Sequence, residues 1–223
     1  MVEMGFRILK IKVGARDDWE EDAAVVEAVR DAVGQGIRIR ADANQGYDVR
    51  SAILAVRRMS AAGLESMEQP VHAQDLDGMA EVRRAADCYI MADESAHTAR
   101  DVYDIARAKA ADIVSIYINT GGGISAAHRM GILAETTGLI AYLGGALEGP
   151  VAARACLQFG AATPSLTFGC EMSGQFLLGA DLSQSPIPFE EGNLLVEHGP
   201  GLSADIDTEK LATYEIGRFQ VAS

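Results

Sequence analysis

Cysteine is scarce in this chain. Cys88, Cys156 and Cys170 are an odd number of thiols with no CxxC pair among them. That excludes a disulfide framework or a paired-cysteine zinc site as the organising device, and it predicts reduced, mostly buried thiols in a cytoplasmic protein. Positive charge is short as well: 19 Lys and Arg stand against 32 Asp and Glu, a formal charge of −13. Nucleic-acid binding rests on clustered cations, so no nucleic-acid partner is expected. A small anionic substrate stays open, because a bound divalent cation would reverse the local field. No uninterrupted apolar run approaches the ~18 residues of a membrane span. Residues 1–5 lack the basic segment and apolar stretch of a leader. The expectation is a soluble, untargeted protein with no membrane partner.

What is present is a globular composition, 48% apolar over 223 residues, enough for one well-filled core or a single barrel. Short β-rich runs at 7–13, 37–42, 64–68, 89–93, 112–119, 139–143 and 166–170 alternate with segments of helical period at 19–33, 48–62, 75–86, 99–110, 124–137 and 150–161. Such alternation is the pattern of βαβ units and a parallel sheet. The first helical segment opens on Glu20, Glu21 and Asp22, as the helix dipole favours, and Pro150 stands where a helix can begin. After Gly179 the rhythm stops, and the tail holds three of the six prolines. The predicted organisation is a partial (β/α) barrel over 1–179 and a closing segment packed on it over 180–223. Seven strands with helical crossovers point to a closed or nearly closed barrel. An eighth strand, with its helix, would precede Met1.

Chemistry in a parallel barrel gathers at the C-terminal ends of the strands. Asp42, Glu68 and Asp93 stand at those ends on three consecutive strands, spaced 26 and 25 residues apart (42 to 68, then 68 to 93). That spacing predicts equivalent heights on adjacent strands. A single Asp there would equally serve as a helix cap, but Glu is a poor cap and three acids in register repel one another without a cation. Hard oxygen donors that leave room for water and substrate suit Mg²⁺. On the preceding strand, alternation puts Lys10 and Lys12 on one face and Leu9, Ile11 and Val13 on the other. An edge strand with solvated lysines would look the same. Beside the three acids, mutual repulsion and a metal are expected to depress the lysine pKa values, so that one acts as general base.

Lys10-x-Lys12, Asp42-x-Asn44, Glu68-Gln69-Pro70 and Asp93-Glu94-Ser95, followed by Gly121-Gly122-Gly123 and Gly199-Pro200-Gly201-Leu202, are together similar to the signature of the mandelate racemase and muconate lactonizing enzyme group of the enolase superfamily. The similarity covers nearly the whole chain. It implies a (β/α)7β barrel of the enolase-superfamily type, here without its first strand and helix. It also implies Asp42, Glu68 and Asp93 as Mg²⁺ ligands, Lys12 as acid/base, and Lys10 as its electrostatic partner. Enolase-superfamily sites pair such a base with Mg²⁺ to stabilise an ene-diolate.

Two departures shape the expected activity. Members that racemise carry a second lysine on the strand matching 112–119, where this chain has Tyr117. A phenol of ordinary pKa ~10 is a poor second base, which favours one-base chemistry: elimination of water, or cycloisomerisation. Tyr117 would donate a hydrogen bond to a leaving hydroxyl, or simply fill space. The second departure is an N-terminal capping domain that relatives have and this chain lacks; such lids exclude water and select substrate. The leading expectation is a Mg²⁺-dependent dehydratase of a hydroxy acid or hydroxylated cyclic amino acid. A racemase, epimerase or cycloisomerase, or an inactive metal-binding fragment, are the alternatives. Partners would be a small carboxylate substrate and either a second copy of the chain or a capping domain. Asn44 and Glu148 are candidate substrate contacts. Glu148 and Glu171 equally fit as helix-opening acids, and His97 is a loop residue within reach of the mouth.

Overall fold

The computed structural model describes residues 1–15 and 18–217. Strands β1 (Ile8–Lys12), β2 (Arg38–Asp42), β3 (Leu64–Glu68), β4 (Tyr89–Ala92), β5 (Ile113–Ile116) and β6 (Ile140–Leu143) alternate with helices α1 (Trp19–Val33), α2 (Val49–Ala61), α3 (Leu76–Ala85), α4 (Ala99–Ala108), α5 (Ile124–Thr137) and α6 (Pro150–Ala161). All six strands pair in parallel and in chain order, β1 to β6. The first four helices are each started by a side chain of their own loop. Asp18, Asp48 and Asp75 accept N–H bonds at the first turns of α1, α2 and α3, and Thr98 and Asp101 form a capping box on α4. The strand-ending acids are therefore free of the capping role.

Side-chain alternation divides the core in two. Ile39, Ala41, Met67, Ile90, Ala92, Val114, Ile116, Ala141 and Leu143 face the helices. Met91, Ile113, Tyr142 and Phe168 pack together on the other face. That second face also carries Arg40, whose guanidinium lies 3.8 Å from the Phe168 ring centroid, bonds the Phe168 carbonyl at 2.9 Å and takes Glu65 at 2.6 Å. A register shift between Ile39 and Arg40 in the β2–β3 pairing skips Glu65 and leaves it free for that contact.

The expected strand at 166–170 is replaced by a single bridge, Leu143 to Cys170. Among the described residues its backbone pairs on the β6 side alone, and Gly169, at φ 97, turns the backbone out of the extended region. The same segment reaches β1 and β2 through Glu171 to Lys10 and Phe168 to Arg40. The sheet is thus curled, its two edges brought near each other without pairing. A groove of about 410 Å³ lies between the start of β1 and Cys170, lined by Phe6, Ile8, Leu157, Met172 and Phe176.

Beyond α6 come α7 (Gly174–Leu177), the antiparallel hairpin of β7 (Phe189–Glu190) and β8 (Asn193–Leu194), and α8 (Thr208–Tyr214). The rings of Phe6, Phe176 and Phe189 stand with centroids 4.8 to 5.5 Å apart, fixing the hairpin to the chain just before β1. Residues 218–223 of the expected closing segment lie outside the described residues. Cys156 is buried, Cys88 half-buried and Cys170 exposed, against the expectation that all three thiols be mostly buried. Among the described residues, no helix is long and apolar enough to cross a membrane.

Candidate active site

The loops after β1 and β2 approach so closely that a Cβ on Gly46 would meet the Gly14 carbonyl oxygen at 2.1 Å. Buried Asp22, at the start of α1, ties both loops: it accepts the Gly14 N–H at 2.8 Å and the Tyr47 hydroxyl at 2.7 Å. This holds the ends of β1 and β2 side by side. Lys12 and Asp42 are register partners, and Asp42 is in turn the partner of Glu68. That row continues to Met91, so Asp93 sits two residues further along its own strand direction, just past β4. The equal heights expected from the spacing are thus corrected by one pleat step. Strands in a curled sheet tilt, and a register row climbs as it crosses them.

Both lysines do share a face, as alternation requires. Lys12 Nζ donates to Asp42 Oδ2 at 2.5 Å and to Asn44 Oδ1 at 2.8 Å. Lys10 Nζ bonds Glu68 at 3.1 Å, lies 3.4 Å from Asp42 and bonds Glu171. Their surroundings differ: the Lys12 side chain is 63% exposed and that of Lys10 only 14%. Asn44, at φ 41, donates to Glu94 at 3.1 Å and so links Lys12 to the loop after Asp93. The Tyr117 hydroxyl, one residue past β5, stands 3.5 Å from Asp93 Oδ2. The Glu148 carboxylate accepts the Ala146 N–H at 2.6 Å within its own loop, and Glu148 lines a small pocket with Arg154 and Gln175. His97 is exposed.

Burial and crowding perturb these groups. Burial pushes the Glu68 carboxyl up to about 8; Lys10 pulls it down, and the charges of Asp42 and Asp93 raise it again. Asp93 is pushed up to about 6, first by burial and then by Glu94 and Asp42. For Lys10 the expected depression is overturned. Burial lowers its pKa, but Glu68, Glu171 and Asp42 outweigh burial and hold it above the ordinary lysine value. Tyr117 is raised, by burial and then by Asp93 and Glu68, and so keeps its proton.

Raised carboxyl pKa values mean that the folded chain holds protons the unfolded chain has released. Without a cation, stability should therefore fall as pH rises from about 4 through about 8. Lys10 adds no slope there, since a raised lysine loses its stabilisation only above the ordinary value of 10.5. In chelator, the denaturation midpoint should drop between pH 5 and pH 8. Added Mg²⁺ should restore it at pH 8 and do little at pH 5; a midpoint indifferent to Mg²⁺ at pH 8 would contradict the electrostatic picture.

The donor set suits a hard divalent cation. Glu68 is 2% exposed, and its Oε1 has no hydrogen-bond partner among the described residues. Three carboxylates crowd one mouth, two of them with raised pKa. The three do not close into a preformed cluster, and no metal-ready group of three such side chains occurs among the described residues. The Lys10 ammonium contacts both Asp42 and Glu68, at 3.4 and 3.1 Å.

Sequence reasoning left Glu171 undecided between a helix-opening acid and a site residue; here it belongs to the Lys10 cluster. Gln69 stands in the Glu68-Gln69-Pro70 motif, but sequence reasoning assigned it no role. An uncharged amide between a buried strand end and a proline was the available signal.

Comparison with known proteins places the chain. Residues 1–210 match the family model described as enolase C-terminal domain-like. The L-Ala-D/L-Glu epimerase of Bacillus subtilis is 35% identical over 90% of this chain and 55% of its own length. Muconate cycloisomerase 1 of Rhodococcus opacus is 32% identical over 92% of this chain and 55% of its own. Among solved structures, the substrate-liganded complex of the Bacillus subtilis epimerase superposes with a TM-score of 0.86 at 34% identity, covering 91% of this chain and 56% of that one. Muconate cycloisomerase from Pseudomonas fluorescens gives 0.91 at 32% identity, covering 94% and 58%. The chain thus spans about half the length of the curated relatives it matches. With the motif residues gathered at the ends of a curled parallel sheet and a family model matching nearly its full length, this chain belongs to the enolase C-terminal domain-like family.

Proposed function

We propose that the site removes the α-proton of a small carboxylate with the help of Mg²⁺ and then expels a β-hydroxyl, a dehydratase reaction. The observation that carries this reading is the row Lys12–Asp42–Glu68 beside Asp93, a lysine against three crowded carboxylates. Asp42, Glu68 and Asp93 would hold Mg²⁺, which when bound offsets negative charge developing on the substrate carboxylate.

The contrast between the two lysines decides their roles. Lys10 is enclosed by three carboxylates and kept charged, so it is a fixed counter-charge. Lys12 is exposed at the mouth and can meet a substrate, so it is the base. The Lys12 amine takes the Cα proton, and the electron pair moves into the carboxylate to give the ene-diolate. Collapse of that species re-forms the carboxylate, makes the Cα–Cβ double bond and breaks the Cβ–O bond. The hydroxyl leaves as water with the proton Lys12 carried. Tyr117, which keeps its own proton, donates a hydrogen bond to the departing oxygen. A hydroxy acid or a hydroxylated cyclic amino acid fits these requirements.

Cycloisomerisation is the second reading, favoured by the similarity to the Rhodococcus opacus cycloisomerase. It too needs one base. A two-base epimerisation would require Tyr117 as proton carrier at neutral pH. Burial and the charges of Asp93 and Glu68 keep its phenol protonated, so it does not take a proton from the opposite face.

For the fold, the six strands, the 166–170 segment and one further strand in the groove beside β1 would complete an eight-membered barrel, with a capping segment or a second copy over the mouth. The test of function uses the longest chain the reading frame encodes, with Mg²⁺ and a panel of β-hydroxy carboxylates followed by NMR. A dehydrated product is expected from at least one of them. Tyr117→Phe should slow its formation roughly 100–1,000-fold, the usual scale for losing one such donor. Inversion at Cα without dehydration would overturn the elimination reading, and Mg²⁺ binding with no turnover would leave the chain a metal-binding remnant.

A further inference from the structure

Gln69 directly follows Glu68 and is fully buried, 0% exposed, with a backbone φ of 34. A non-glycine residue in the left-handed region is strained and persists only where its surroundings hold it there. What holds it are bonds to the ends of the two neighbouring strands, β2 and β4, and to its own loop. Its N–H donates to Met91 O of β4 at 2.8 Å, and its carbonyl accepts the N–H of Gln45, in the loop after β2, at 2.8 Å. Its side-chain Oε1 accepts the N–H of Asp93 at 2.9 Å and of Ser95 at 3.1 Å. Its Nε2 donates to Val71 O at 3.0 Å and Ser95 Oγ at 2.9 Å. The Ser95 hydroxyl passes the link on to Ala73 O at 2.8 Å. The amide orientation is fixed by this set, since a flipped amide would turn its NH₂ toward two N–H donors and its oxygen toward a carbonyl.

Glu68 stands beside Gln69, Asp93 hangs from the amide through its own N–H, and the loop that follows Asp42 is tied to the Gln69 carbonyl. The ends of the three strands that carry the acids therefore meet at one residue. We propose that Gln69 is a positioning residue that sets the separation of Asp42, Glu68 and Asp93 and thereby the affinity of the site for a divalent cation. This rests on the reading that those three acids hold Mg²⁺. The rival role is a buried amide that contributes only to stability. The two differ in what an isosteric change does: if only stability is at stake, cation affinity survives wherever the fold survives.

The experiment is calorimetric titration of the full chain with MgCl₂, alongside denaturant midpoints. Gln69→Met keeps side-chain length, removes the amide bonds and leaves the Asp93 and Ser95 N–H groups unpaired. It should weaken Mg²⁺ binding about 10–100-fold, the scale seen when a partner of a metal ligand is lost. Gln69→Glu should also weaken it, because the carboxylate cannot donate to Val71 O and Ser95 Oγ. Added negative charge alone would tighten binding instead, so the sign separates positioning from field. Met59→Ala is the control. Met59 is fully buried in the last turn of α2, at the end of β3 away from Glu68, and its loss should lower stability with affinity unchanged.

Amide exchange in the metal-free protein supplies a second readout: the Asp93 and Ser95 N–H groups should exchange faster in Gln69→Met. Should that variant fail to fold, Ser95→Ala, which removes one link of the chain, should still weaken binding several-fold. Wild-type binding with equal affinity in the Gln69 or Ser95 variants, or an equal loss in Met59→Ala, overturns the proposal alone. A wild-type chain that binds no Mg²⁺ overturns the metal reading and this proposal with it.

Discussion

Glu68→Gln should lower Mg²⁺ affinity by at least about 100-fold, beyond the 10–100-fold scale for losing a partner of a ligand, because it removes a ligand itself. The substitution keeps size and shape, so packing around a side chain that is 2% exposed is preserved. What changes is charge and donor chemistry. The new amide offers one neutral oxygen where a carboxylate oxygen stood without a partner, and its NH₂ competes with the Lys10 ammonium for acceptors. The same change removes a carboxyl whose ionisation is opposed up to about pH 8. In the metal-free protein at pH 8, the variant should therefore be as stable as the wild type or more stable. Binding and stability move in opposite directions, which separates loss of a ligand from loss of the fold. Equal Mg²⁺ affinity in the two proteins, measured by calorimetry, would remove Glu68 from the site.

Lys12→Ala should abolish exchange of the substrate α-proton with solvent, a loss of roughly 10²–10⁴-fold, the usual contribution of a positioned general base. Lys12 carries this role because it stands at the end of β1, exposed and linked to Asp42 and Asn44. Lys10, two residues earlier, is enclosed by Glu68, Glu171 and Asp42 and held in its charged form. Lys10→Met should act differently: it leaves three acids without their internal cation, so it should alter Mg²⁺ affinity and pH dependence before it alters proton exchange. Deuterium incorporation measured by NMR in deuterium oxide checks both. Exchange that survives in Lys12→Ala would assign the base elsewhere.

The strand and helix alternation was open to reading because each unit carries its own period and its own stop. The bounds of α1, α5 and α6 fall where the sequence placed them. The stretch 112–119 yields only Ile113–Ile116, since its last residues turn toward the glycine loop, where Gly121 and Gly123 bond back to Tyr117 and Ile118. The segment 166–170 is β-rich by composition yet forms a single bridge, because Gly169, at φ 97, breaks the extended run and a ladder with β6 cannot continue past it. The gathering of Lys10, Lys12, Asp42 and Glu68 was legible from alternation and spacing, while Asn44 came only from the family resemblance. The lysine pKa was not: it depends on three carboxylates, one of them Glu171, 161 positions away in sequence. Neither was the role of Glu148, which bonds within its own loop. Gln69 escaped for the same reason as Arg40. Each is a polar residue whose partners come from several loops, and sequence pattern carries no signal for such partners.

The most direct test of the central claim is α-proton exchange of a chiral β-hydroxy carboxylate, or its analogue lacking the hydroxyl, in deuterium oxide with Mg²⁺ and with chelator. It uses the longest chain the reading frame encodes. The account predicts deuterium at Cα only when Mg²⁺ is present, with configuration retained, because Lys12 removes and returns the proton on one face and Tyr117 keeps its own proton. Exchange that is indifferent to chelator, or that proceeds with inversion, would contradict it.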